Sequence, residues 1–161
     1  MALERDLFTY RSYIAQNKFL VVLDEIRDNS PDILQPIRML AEYLSDKPKR
    51  ESIVGQLDQK LSGSANVENE VLIIVAGIIY QLENDLETAY RILHSVECQE
   101  TSAMIVDILL KINRVDLAKK KLKEMQDKDD DALLTQLTQA WVNCAVVSMD
   151  LIYRVAQNER L

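Results

Sequence analysis

Two residues with catalytic or metal-binding chemistry lie close together in the second half of the chain. His94 and Cys98 are four residues apart, a spacing that places two residues on one face of a helix. Such a pair could act as a thiolate nucleophile with its base, or as half of a zinc site. However, the chain has no other histidine, and its second cysteine is Cys144. A structural role is therefore the favoured interpretation of both residues, and both cysteines are expected to be reduced packing residues.

Two charged runs near residue 125 could also bind a ligand. The acidic run 127–131 resembles the start of a calcium-binding loop, but the loop glycine and the final glutamate are missing, so a solvated interhelical loop is favoured. The basic run 119–123 has acidic neighbours, which favours an ordinary exposed face over contact with an acidic partner. The sequence contains no glycine-rich phosphate loop, paired-carboxylate pattern or serine elbow. We therefore predict no catalytic residue, no metal site, no cofactor and no enzymatic activity.

Composition restricts the fold and the partners. The chain has 161 residues, of which 48% are hydrophobic, and only three glycines and three prolines. This favours one all-α domain. A net charge of -7 argues against nucleic acid as a partner and against direct adsorption to anionic membranes, so any membrane association is expected to be indirect.

The sequence also suggests where the protein resides. The N-terminal residues are charged and amphipathic instead of forming a signal peptide, which favours the cytoplasm. The longest apolar run, 71–79, is far shorter than the roughly 20 residues of a membrane-spanning helix. We therefore expect it to be a buried helix.

Apolar residues recur every three or four positions, which predicts short helices in series. The predicted helices cover residues 4–16, 18–27, 31–45, 50–62, 68–82, 85–95, 100–112, 114–126 and 131–147. The start at 31 has the strongest signal, because Ser30 can cap a helix and Pro31 suits its first position. This arrangement makes four helical hairpins and a remainder.

One pattern recurs in the second helix of the hairpins. An asparagine is followed by three apolar positions in the runs 17–26, 84–93 and 113–122, and a fourth copy at 54–61 lacks the asparagine. Asparagine tolerates the left-handed backbone that closes a helix, so the chain can reverse within two residues. The central apolar residues are Val22, Leu57, Ala89 and Ala118, spaced by 35, 32 and 29 positions.

That spacing is close to the tetratricopeptide period. In such repeats a small residue and an aromatic one pack the first helix, as Gly77 and Tyr80 can do in the third hairpin. We therefore predict an all-α, right-handed superhelical solenoid of antiparallel helix hairpins. We place this repeat domain at residues 1–143, followed by a divergent tail at 144–161 whose residues can form a helix.

Stacked hairpins leave a curved inner surface formed mostly by the first helix of each pair. The predicted partner-binding residues on this inner face are Leu7, Arg11, Ile14, Val71, Ile74, Ile78, Asp107 and Leu110. Most are apolar, which favours a constitutive protein partner. A free tetratricopeptide adaptor that binds a peptide or helix of another cytosolic protein is the alternative, but only Arg11 could contribute to a basic clamp for a carboxylate.

Five runs resemble one family, the epsilon subunit of coatomer, which belongs to the cytosolic coat of vesicles returning from the Golgi to the endoplasmic reticulum. The similar runs are 4–26 (ERDLFTYRSYIAQNKFLVVLDEI), 38–44 (RMLAEYL), 103–118 (AMIVDILLKINRVDLA), 125–127 (MQD) and 134–142 (LTQLTQAWV). They are far more specific than a generic repeat.

The resemblance implies a non-catalytic helical solenoid that binds and stabilises the C-terminal region of the coatomer alpha subunit, alongside the other coatomer subunits. It implies a place on the cytosolic side of Golgi membranes and COPI-coated vesicles, in retrograde Golgi-to-ER and intra-Golgi transport. Members of that family are longer, with an extra helical stretch before the start seen here and further repeats after Trp141. The resemblance therefore implies that this chain is clipped at both ends, and it fades after Asn143.

Overall fold

The computed structural model describes the backbone of residues 2–62 and 69–158, and the side chains of 3–62 and 69–148. Within these residues the regular structure is helical. The helices are α1 Ala2–Ala15, α2 Phe19–Glu25, α3 Gln35–Ser45, α4 Arg50–Ser62, α5 Glu70–Leu82, α6 Leu86–Leu93, α7 Gln99–Lys111, α8 Val115–Lys128 and α9 Leu133–Asn158, with a single 3₁₀ turn at Lys47–Lys49 before α4. The predicted helix start at residue 68 and the last three residues of the predicted tail lie outside the described part of the chain. The all-α class is confirmed.

The repeated asparagines close helices in the predicted way. Asn17, Asn84 and Asn113 have φ angles of 59°, 62° and 61°, and they are the non-glycine residues with positive φ in the described chain. After α1, the Asn17 N–H donates to the Ile14 carbonyl oxygen, and the Lys18 N–H donates to the Tyr13 carbonyl oxygen, both at 2.9 Å. This pair of bonds is a Schellman motif, which satisfies the last carbonyl groups of a helix.

The same two bonds recur at the other asparagines. The Asp85 N–H donates to the Tyr80 carbonyl oxygen at 2.9 Å, and the Arg114 N–H donates to that of Leu109 at 2.8 Å. In each case the next helix begins two residues after the asparagine. The sequence motif therefore encodes the same helix-ending turn three times.

The repeat's central positions lie in the core. Val22, Leu57, Ala89 and Ala118 are all fully buried. The apolar residues four positions later are also buried at Ile26, Leu93 and Leu122, while Leu61 in the fourth copy is half-buried. Sequence spacing alone therefore identified the buried central side chains of the second helices.

The chain forms two compact units, Met1–Asp85 and Leu86–Leu161. In the first unit, α3 packs against α1, α2, α4 and α5. Two buried tyrosines join its helices: the Tyr43 hydroxyl in α3 donates to Glu83, which follows α5, and the Tyr80 hydroxyl in α5 donates to Asp58 in α4. Helix α5 is buried along most of its length, as its apolar sequence predicts.

In the second unit, α7 packs against α6, α8 and α9, and α8 also packs against α9. Contacts between each helix and its next one or two neighbours are typical of helical repeat proteins. Buried threonines contribute to this unit. The Thr138 hydroxyl donates to the Leu134 carbonyl oxygen at 2.6 Å, which satisfies a polar group that would otherwise be costly to bury.

The predicted helix start at residue 31 was wrong, because α3 begins at Gln35. A helix starting at 31 would need the N–H of residue 36 to donate to the carbonyl of Asp32, but Pro36 has no N–H. The Ser30 hydroxyl does not cap α3. It accepts a hydrogen bond at 3.0 Å from the N–H of Arg27, which lies three residues earlier in the chain. Pro36 therefore sets the start of α3.

The predicted end of the last helix at residue 147 was also wrong, because α9 continues to Asn158. No glycine or proline occurs after residue 132, so the chain lacks a strong stop signal there. The predicted boundary at residues 143 and 144 falls inside this continuous helix. None of the described helices combines the length and hydrophobicity needed to cross a bilayer.

Candidate partner-binding surface

His94 and Cys98 are not placed on one helical face, because α6 ends at Leu93 and α7 begins at Gln99. The exposed His94 ring instead packs edge-on against Tyr90, with ring centroids 4.5 Å apart. Cys98 caps α7: its sulfur accepts from the Thr101 N–H at 3.3 Å, and its own N–H donates to the Thr101 hydroxyl at 3.1 Å. This reciprocal pair is a capping box, which gives Cys98 a structural role.

The other candidate ligands lie at the surface. Asp129, Asp130 and Asp131 are exposed between α8 and α9, and Cys144 is exposed on α9, so the prediction that Cys144 is a packing residue was wrong. In the described part of the chain, no three acidic, histidine or cysteine side chains group closely enough to hold a metal ion. Lys119, Lys120 and Lys123 are exposed on α8, whereas Lys121 is half-buried and pairs with Glu124 at 3.1 Å.

In the first unit, the predicted inner-face residues Leu7, Arg11 and Ile14 are half-buried on α1. The Arg11 guanidinium carbon lies 6.0 Å from the centre of the Phe8 ring. Phe8 itself is 64% exposed, and the inner-face prediction did not include it. An exposed aromatic beside a cation is a common element of protein interfaces, so Phe8 extends the candidate surface on this helix.

On α5, Val71 and Ile78 are half-buried, whereas Ile74 is only 6% exposed. Ile74 therefore has too little surface in this conformation to contact a partner. Leu82, one turn after Ile78, is 55% exposed and was also missed. The apolar edge of α5 consequently consists of Val71, Ile78 and Leu82.

In the second unit, Asp107 and Leu110 are half-buried on α7. The Asp107 carboxylate pairs with the Lys111 ammonium group at 2.7 Å. An exposed pair of this kind contributes little to stability but gives the surface a neutral polar edge beside Leu110.

Burial can be compared at equivalent positions of the three first helices that precede an asparagine. The position ten residues before the asparagine is buried at Ile74 and Ala103, but half-buried at Leu7. The positions six and three residues before it remain half-buried in all three helices. Neighbouring helices thus cover the first of these positions on α5 and α7 but not on α1, and the two later positions keep partial access on each helix.

Comparison with known protein families identifies the chain. The family model described as "Coatomer epsilon subunit" matches residues 1–152. The chain belongs to the coatomer epsilon subunit family. This result confirms the resemblance carried by the five sequence runs, and the match ends inside α9.

Individual relatives agree with the family match. "Coatomer subunit epsilon-2" of Arabidopsis thaliana is 37% identical over 145 residues, which cover 90% of this chain and 50% of that protein. "Coatomer subunit epsilon-1" of Oryza sativa subsp. japonica is 41% identical over 145 residues, also 90% of this chain and 50% of the relative. "Coatomer subunit epsilon" of Caenorhabditis elegans is 33% identical, covering 86% of this chain and 48% of the relative. The chain spans about half the length of these coatomer epsilon proteins.

Hydrogen bonds from two tyrosines, Tyr43 and Tyr10, join neighbouring helices in the first unit of this coatomer epsilon chain. Burial and the hydrogen bond to Glu83 raise the pKa of Tyr43 to about 12, so its hydroxyl remains a donor. The Arg50 guanidinium carbon lies 4.9 Å from the centre of the Tyr43 ring and opposes this shift. Burial, together with a hydrogen bond to Glu25 in α2, similarly raises the pKa of Tyr10 in α1. Both tyrosines therefore stay protonated at neutral pH and link neighbouring helices.

Proposed function

We propose that this chain is a non-catalytic structural component of the coatomer (COPI) vesicle coat. The observation that carries the proposal is the match of residues 1–152 to the coatomer epsilon subunit family. The residue chemistry agrees with a structural role. Among the described side chains, the candidate nucleophile Cys98 caps a helix, and His94 packs against Tyr90.

Its partner, in this proposal, is the C-terminal region of the coatomer alpha subunit, which the chain binds and stabilises within the coat. The half-buried apolar residues on the first helices suit a permanent contact, since a partner would remove them from water. In the first unit these are Leu7, Ile14, Val71 and Ile78, and in the second unit Leu110. Arg11 supplies a polar contact in the first unit, and Asp107 supplies one in the second.

The proposed location follows from the proposed partner. The chain would lie on the cytosolic side of Golgi membranes and COPI-coated vesicles and take part in retrograde Golgi-to-ER and intra-Golgi transport. Membrane association would be indirect, through the coat. We also propose that residues 1–143 supply the repeat domain that binds the partner, with residues 144–161 as a divergent tail.

Co-purification with the C-terminal region of the alpha subunit tests this proposal. The informative variant is Ile78→Asp, which places a charge on the half-buried apolar edge of α5. We expect the charge to weaken binding at least about tenfold, because burying an unpaired carboxylate costs more than about 1.4 kcal/mol. Ile33→Asp is the matched control: the same substitution at a residue that is 38% exposed and lies outside the predicted surface.

The results separate the partner from the surface. If the parent chain fails to bind the alpha region under conditions where a full-length relative binds, the partner assignment is wrong for this chain. If the parent binds and a folded Ile78→Asp variant binds equally well, the surface assignment is wrong. Circular dichroism of each variant establishes whether the helices persist.

A further inference from the structure

Cys98 lines a cavity that its capping role does not explain. The cysteine is half-buried and its thiol is free. The cavity has a volume of about 270 Å³ and lies between the start of α7 and the end of α8. All of its lining residues belong to the second unit. A nucleophilic sulfur therefore borders a space that can hold a small molecule.

The same cavity contains a hydroxyl group without a partner. Ser102 lies one helical turn after Cys98, lines the cavity and is only 6% exposed. Its N–H donates to the Cys98 carbonyl oxygen at 3.1 Å, but its hydroxyl makes no hydrogen bond within the described part of the chain. A polar group this deeply buried normally has a partner. The Ser102 hydroxyl is therefore available to a molecule in the cavity that carries a hydrogen-bond acceptor.

Charged groups of both signs line the cavity beside the thiol. The Lys128 ammonium group pairs with the Glu97 carboxylate, and Asp129 adds a second carboxylate. The buried Met125 side chain provides an apolar wall. A simple anion would meet two carboxylates and only one ammonium group. A molecule that carries both an ammonium group and a carboxylate can instead form an ion pair with Asp129 and another with Lys128.

We propose that Cys98 is a site of reversible mixed-disulfide formation with a low-molecular-weight peptide thiol of the glutathione type. Such a peptide carries an ammonium group for Asp129, a carboxylate for Lys128 and peptide carbonyl groups that can accept from Ser102. The co-reactant is the disulfide form of the peptide. The proposal does not rest on the proposed function, because none of the predicted alpha-binding residues lines the cavity.

The reaction is a thiol–disulfide exchange. The Cys98 thiol gives up its proton, and the thiolate attacks one sulfur of the peptide disulfide. A new S–S bond forms to Cys98 as the original S–S bond breaks. The second peptide leaves as a thiolate and takes up a proton. Cys98 is thereby oxidised, and one molecule of the peptide is released in its reduced form.

Incubation of the full chain with glutathione disulfide, at a series of ratios of oxidised to reduced glutathione, tests the site. Intact mass counts the glutathionyl groups, and peptide mapping assigns them. Cys144 is the matched control in the same molecule, because it is free and exposed on α9 and does not line the cavity. We expect an equilibrium constant for the mixed disulfide at least tenfold larger at Cys98. Equal or greater modification of Cys144 would overturn the proposal, since accessibility alone favours Cys144.

Two substitutions in a Cys144→Ser background test whether the cavity recognises the peptide. Ser102→Ala and Lys128→Gln should each lower the equilibrium constant for the glutathione adduct roughly three- to tenfold, because each removes one contact to the bound peptide. The matched controls are Ser148→Ala on α9 and Lys123→Gln on α8, where both parent residues are exposed and outside the cavity. They should behave as the parent does.

A second disulfide separates recognition from simple thiol reactivity. Hydroxyethyl disulfide carries no charge and no peptide group, so the parent and both cavity variants should form its adduct equally well. Circular dichroism establishes that the variants keep their helices. If the cavity variants match the parent with glutathione disulfide, or if they lose the same factor with both disulfides, the cavity does not recognise a peptide thiol and the proposal is wrong.

Discussion

Replacing Asn113 tests whether the left-handed asparagine determines the hairpin between α7 and α8. Its φ angle is 61°, and the Asn113 and Arg114 N–H groups donate to the carbonyl oxygens of Leu110 and Leu109 at 3.0 and 2.8 Å. Glycine adopts this left-handed backbone conformation without a steric penalty. For a residue with a Cβ the conformation costs roughly 1–2 kcal/mol, and the cost is greatest when the Cβ is branched. We expect Asn113→Gly to change the free energy of unfolding by less than about 0.5 kcal/mol and Asn113→Val to lower it by about 2 kcal/mol.

Thermal and urea unfolding, followed by circular dichroism at the helix band, measure the difference. For a chain of this size, 2 kcal/mol corresponds to a fall in melting temperature of about 4–8 °C. Asn143→Val is the matched control, because Asn143 is exposed on α9 and makes no such turn. Asn143→Val should change the free energy of unfolding by no more than about 0.5 kcal/mol. If Asn113→Val costs no more than this control, or if glycine costs as much as valine, the positive φ does not govern the reversal.

Two further substitutions test the core. Tyr43→Phe should remove a tyrosine whose pKa is about 12. The difference between the pH titrations of the parent and the variant, followed by absorbance at 295 nm, shows that ionisation. A difference centred near pH 10 would contradict the burial argument. The folded state holds the Tyr43 proton more tightly than the unfolded state does. The contribution of the protonated Tyr43 to the free energy of unfolding is therefore complete below pH 10 and is lost as pH rises through 12. Ala118→Leu should lower the free energy of unfolding by about 1–3 kcal/mol, because the larger side chain overpacks a fully buried position. Lys119→Leu on the exposed side of α8 is the control and should change it little. Equal effects of the two substitutions would contradict the tight packing at Ala118.

Local chemistry made most of the helix boundaries readable from the sequence. An asparagine followed by three apolar positions specifies both a left-handed residue and the buried face of the next helix, and neither property depends on distant contacts. The error at α3 was also local. Pro36 carried the correct signal, since a proline within a helix lacks the N–H that the preceding turn requires, but Ser30 and Pro31 offered a competing start.

The exposed residues of the candidate surface were harder to predict from the sequence, because exposure depends on which helices become neighbours. Leu7, Ile74 and Ala103 occupy equivalent positions before their asparagines, yet only Leu7 is half-buried and the other two are buried. The sequence pattern is nearly the same at the three sites. Phe8 and Leu82 were missed for the same reason, since an apolar residue in an amphipathic helix is normally assigned to the core.

By itself, the sequence determined the helical class, the three helix-ending asparagine turns and the buried centres of the second helices, because backbone preference and apolar spacing act over a few residues. It also carried the likeness that places the chain in the coatomer epsilon subunit family. Only the tertiary structure decided which apolar residues remain exposed, as Phe8 and Leu82 do, and which neighbouring helices cover the others. These properties depend on which faces meet another part of the chain, and a one-dimensional pattern cannot specify that.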